Sequence, residues 1–150
     1  MKRTLLIIYL LCNSLIICAQ STYSEKYTQD ANKVALIWLN NINQYNYEPA
    51  YQLLTKEIKE RYDKESWIKL ITELMQEFGD LKTRTIKDIS FQSEVEGLED
   101  GFYVFIEYDA NYTKTKNHFE FLMLKQNYKA EWEVSDYWYD FMSTDAQPEK

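Results

Sequence analysis

Cysteine is nearly absent from this chain of 150 residues: Cys12 and Cys18 are the only two, and both lie in the first twenty positions. If that segment is removed, as its pattern predicts, no thiol remains for a disulfide, a zinc site or a nucleophile. Glycine (3) and proline (2) are also scarce. That excludes a glycine-rich phosphate loop and an interdomain linker, and it argues for one compact domain with short connections. Histidine occurs once, as His118, and no Ser/His/Asp pattern stands out around it. After Arg3 there is no run of basic residues, and 17 Lys and Arg face 24 Asp and Glu, a net charge of −7. An acidic surface repels phosphate backbones and anionic headgroups, so nucleic acid is not an expected partner.

What is present begins with a leader. Lys2 and Arg3 precede an apolar run from Thr4 to Ile17, interrupted by Asn13 and Ser14, and then Cys18-Ala19-Gln20. This is the layout of a secretory signal peptide, with cleavage expected between Ala19 and Gln20. The run is shorter than the roughly 20 residues that span a bilayer core, so no membrane span is expected after processing. Lipidation at Cys18 is the competing reading, and bulky Ile17 just before the cysteine weighs against it. Removing the leader takes away two basic residues and no acidic one. The reading is therefore a leader over 1–19, a flexible lead over 20–29, a single domain over 30–142, a polar tail over 143–150, and a periplasmic or secreted product.

The first half has helical spacing. Ala31, Val34, Ala35, Trp38, Ile42 and Tyr45 form one stripe. Pro49 suits the first turn of a second helix, with Thr55 able to cap its continuation through Ile58 to Tyr62. Asp63 is placed to cap a third helix with the stripe Trp67, Leu70, Ile71, Leu74 and Phe78, stopped at Gly79. The second half alternates with period two. Strands are expected over 81–91, 102–110, 118–125 and 131–138, joined as hairpins. Helices followed by strands give an α+β fold, about three N-terminal helices packed on a curved antiparallel sheet of about four strands.

With the elements placed, the chain resembles a family of small exported bacterial proteins, the domain of unknown function 4019 family. The residues that carry the resemblance are Trp38-Leu39, Trp67, Gly79, Arg84, Gly101, Tyr103, Val104, Glu120, Trp132, Val134 and Tyr137, in that order between Asp30 and Tyr139. Met75, where the family often has arginine, and Asp136, where glycine is usual, depart from the pattern. The resemblance implies a fold and a compartment, not a reaction. The architecture is also similar to the nuclear-transport-factor-2-like group, in which helices cover a curved sheet to form a cone.

Arg84 and Glu120 are the first polar pair to test: an arginine inside a cone could clamp a ligand carboxylate, or the two could form a structural ion pair, the favoured reading. Trp132 and Tyr137, in an aromatic-rich C-terminal stretch with Trp138, Tyr139 and Phe141, complete the candidate binding residues. Rings there could stack on a ligand or simply fill a core that has no cross-links. His118 with Glu120 two residues on is most simply a solvated side chain near a strand start. The paired acids Glu107 and Asp109, and Glu131 and Glu133, fit the wet face of a sheet. No catalytic residue, metal ligand or cofactor is expected. The reading is a non-enzymatic module for a small molecule, a glycan or a protein. A small cone-fold enzyme built on the arginine–carboxylate pair is the alternative, and a homodimer through the sheet is a third reading.

Overall fold

A computed structural model of the chain describes residues 24–143, so the leader and nearly all of the tail lie outside the described residues. Helix α1 runs over 24–43, followed by α2 (Tyr47–Gln52), α3 (Lys56–Arg61) and α4 (Lys64–Phe78). Four strands follow: β1 (Leu81–Gln92), β2 (Tyr103–Tyr112), β3 (Thr115–Gln126) and β4 (Trp132–Ser143). They pair antiparallel in the order β1-β2-β3-β4. The fold is α+β, with the helices N-terminal to an open four-stranded sheet.

Local chemistry sets the helix ends. Asp63 caps α4 by accepting from the Ser66 N–H at 2.8 Å, an interaction worth about 1 kcal/mol. At the other end Gly79 has φ +77° and ψ −161°, a region essentially restricted to glycine. A Cβ there would also stand 2.1 Å from Thr113 Oγ1. That hydroxyl accepts from the Asp80 N–H at 2.8 Å, so the α4–β1 corner and the β2–β3 turn are locked together.

The sequence places the lead and one helix face differently from the structure. Residues 24–29, read as a flexible lead, are helical because Tyr27 has a place to pack. Its ring stacks on Phe91 at 4.9 Å and on Phe102 at 5.2 Å, with Trp132 edge-on at 6.1 Å. In α4 the buried stripe is Trp67, Ile71, Leu74, Met75 and Phe78. Met75 takes the place expected of Leu70, which is 50% exposed.

The helices cover one sheet face, where Val104, Ile106, Leu122, Leu124 and Val134 are fully buried. Phe78 is the hub at one end. Its ring contacts Tyr112, His118, Tyr139 and Phe141, all within 5.3 Å. Two irregularities matter for the site. The β3–β4 register shifts between Met123 and Leu124, opposite Asp136 and Val134, so Ser135 is an extra residue. It returns Tyr137 to the helix-covered face that strict alternation from Val134 would deny it. A shift between Ile86 and Asp88 does the same for β1, letting Arg84, Ile89 and Phe91 serve one face.

Candidate functional site

Arg84 lies on β1 and Glu120 on β3, with β2 between them. In register, Arg84 faces Ala110 and Ala110 faces His118, while Tyr108 faces Glu120. Because Ala110 is small, the arginine side chain can cross β2 above it. The guanidinium carbon sits 5.9 Å from the ring centres of both Tyr108 and Tyr112, the residues two before and two after Ala110. Beyond them it meets Glu120, Nε donating to Oε2 at 2.6 Å and Nη2 to Oε1 at 3.2 Å.

Two phenols complete the cluster. Tyr112 accepts from Arg84 Nη2 at 2.6 Å and donates to Glu120 Oε1 at 2.5 Å. Tyr137 donates to the same oxygen at 3.0 Å. Glu120 is fully buried, and the Arg84 side chain is 9% exposed. Burial works against the arginine's charge, but the hydrogen bonds and charge of Glu120 outweigh it and hold the guanidinium above its ordinary value. Burial pushes the Tyr108 phenol up to about 12 and raises Tyr112 and Tyr137 as well, with the Glu120 charge adding to each. These phenols are therefore neutral over the physiological range, and Tyr112 and Tyr137 act as donors.

The structure thus brings together Arg84, Glu120 and Tyr137. Trp132 is elsewhere, at the start of β4 beside Tyr27. Tyr112 and Tyr108 belong to the cluster and were missed. The alternation that places Ile106 and Tyr108 inward also places Tyr112 inward, and this is the signal that finds it. The expectation of a solvated His118 is overturned. It is 1% exposed, stacked on Phe141 at 4.7 Å, with Nε2 on Thr115 Oγ1 at 2.5 Å. Burial lowers its pKa. Packing against Phe78 and Tyr112 is what draws it in.

Chemically, the ion pair and the two phenols Tyr112 and Tyr137 bond to one another. Each Glu120 oxygen is occupied and Tyr112 both donates and accepts, whereas the buried Tyr108 hydroxyl meets no partner among the described residues. Among the described residues, no three His, Cys, Asp or Glu side chains stand together as metal ligands.

An open groove of about 630 Å³ lies next to the cluster, between α3, α4 and β4. Trp38, Trp67, Tyr137 and Tyr139 contribute its aromatic surface, and Ile58, Leu70, Leu74 and Leu98 its aliphatic one. Tyr137 joins the two: its half-buried ring lines the groove while its hydroxyl reaches Glu120. A second groove, about 740 Å³, holds Trp132 and Tyr27 between charged walls.

The family model described as Protein of unknown function (DUF4019) matches residues 34–137, well over half of the chain. The chain belongs to the DUF4019 family. The DUF4019 match takes in all of the polar cluster and ends on Tyr137, the residue shared with the groove. No curated protein and no solved structure matches the chain.

Proposed function

We propose that this protein is a non-enzymatic binding module, exported to the periplasm or beyond, whose ligand lies in the groove between α3, α4 and β4. One observation carries the reading: large apolar groups line an open groove, directly beside a polar cluster in which Arg84, Glu120, Tyr112 and Tyr137 bond to one another. Ligand sites are concave, largely apolar and a few hundred cubic ångströms in volume, and this groove has those properties. Leu70 and Leu98 stand about half exposed on its walls. Arg84 and Glu120 act as a support that fixes the Tyr137 ring in the floor. Helices over one face of the meander also support a nuclear-transport-factor-2-like reading of the architecture.

The test is a thermal-shift screen of the purified protein against metabolites, glycans and peptides, repeated on Leu70→Asp. Leu70 is exposed, so the variant is expected to fold. A ligand shift lost in Leu70→Asp supports the groove; a shift unchanged in that variant rules it out.

A specific observation favours a second reading, a homodimer through the uncovered sheet face. Phe105 and Phe121 stack there at 5.7 Å, and Trp138, 52% exposed, lies edge-on to Phe119 at 5.8 Å. Sedimentation of the wild type against Trp138→Ser decides it: a dimer that dissociates in the variant supports this reading, and a monomeric wild type removes it.

A further inference from the structure

We propose that the groove takes an extended, basic peptide segment of a partner protein, added as a strand to the open edge of β4. The inference rests on the groove being the binding site. β4 is the last strand of the sheet. Its outer edge is met at Val134, whose N–H donates to Leu53 O at 2.8 Å and whose carbonyl accepts from Thr55 N–H at 2.9 Å. Backbone groups of a strand point to its two edges alternately, so beyond the extra residue Ser135 the open edge belongs to Tyr137, Tyr139 and Phe141.

The covering of that edge says what it would accept. Tyr137 N–H donates to Asp136 Oδ1 at 2.9 Å, and Phe141 N–H donates to Asp140 Oδ1 at 2.9 Å. Each aspartate caps the donor that follows it, as edge strands are commonly guarded. The carbonyls of an arriving strand would take over those donors and release both carboxylates. A lysine or arginine on that strand then meets a freed charge, whereas a neutral or acidic strand leaves it uncompensated. Glu77 adds negative charge along the helical wall, where Glu57 is paired with Lys125 at 3.1 Å, Glu73 lies 4.0 Å from Lys69, and Arg61 is a further opposing charge. Separately, Trp38, 2% exposed, lines the groove with an indole N–H that meets no acceptor among the described residues. Main-chain pairing provides affinity and side-chain charge provides selectivity, as in other strand-addition complexes.

The probes are fluorescein-labelled peptides about ten residues long that alternate Lys with Val, read by polarisation. Comparison peptides carry Glu in place of Lys, or N-methyl groups on alternate amides, and a linear polyamine serves as a backbone-free cation. The Lys peptide is expected to bind, to weaken with rising salt, and to shift the Tyr137, Tyr139 and Phe141 amide resonances. N-methylation should weaken it about tenfold, and Asp136→Asn with Asp140→Asn about fivefold. Equal binding by the Glu peptide, or displacement by the polyamine at equal concentration, would overturn the inference. So would a complete absence of peptide binding. The groove reading survives those results if an apolar dye still binds in a Leu70-dependent way, and it falls with the inference if the dye is insensitive to Leu70→Asp.

Discussion

Arg84 reaches Glu120 across an intervening strand, and Ala110 is the residue that leaves the path open. The two charges are 36 positions apart in the chain and two strands apart in the sheet, yet the guanidinium makes two hydrogen bonds to the carboxylate. Once buried, the pair depends on completeness. Breaking it strands a charge in the core, at a cost several times the net value of the intact pair.

Single removal of either partner, as Arg84→Met or Glu120→Leu, is expected to destabilise by about 3–5 kcal/mol. The double variant should lose clearly less than the sum, because no charge is left unpaired. Urea unfolding of the four proteins gives the coupling energy. Additive losses would show that the two charges do not act as a pair.

Ala110→Leu places a side chain in the arginine's path. A loss of about 1–3 kcal/mol is expected from crowding alone, with more from the broken pair. In an Arg84→Met background the extra cost should shrink, and the same urea series reads it.

Acid stability should turn on His118. Its folded pKa is lowered by burial, so the unfolded chain takes up a proton first as the pH falls. Stability is therefore complete above the unfolded value of about 6.5 and declines as the pH drops below it. In His118→Phe the decline between pH 6.5 and 5 should flatten, as followed by urea midpoints. An unchanged slope would assign the acid limb to carboxylates.

Alkaline behaviour has the opposite sign. Tyr108, Tyr112 and Tyr137 hold their protons above the ordinary phenol value of about 10. The stability they contribute is complete below pH 10 and is lost as the pH rises past it. Absorbance titration near 295 nm should show the buried phenols ionising only with unfolding.

Much of the fold was legible because its periodicities are long and clean. The α4 cap and stop, Asp63 and Gly79, followed from local chemistry, and Ile106 with Tyr108 announced an inward strand face. The candidate pair Arg84–Glu120 was visible as two opposite charges in expected strands that both match the family pattern. Three things were not visible. The bulge at Ser135 reverses the parity of β4, so the proximity of Tyr137 to Glu120 could not be read by counting. His118 is buried by Phe78 and Phe141, which are distant in sequence. The groove arises where α3 and α4 approach β4, and no single segment carries that information.

The most direct measurement is binding of one groove ligand, by calorimetry, to the Arg84→Met/Glu120→Leu double variant and to Leu70→Asp, each checked for folding by circular dichroism. If the polar cluster is scaffold and the groove is the site, the double variant binds within a few-fold of wild type and Leu70→Asp does not bind. Binding abolished in the double variant and intact in Leu70→Asp would put the site on the arginine and the carboxylate, and would contradict this account.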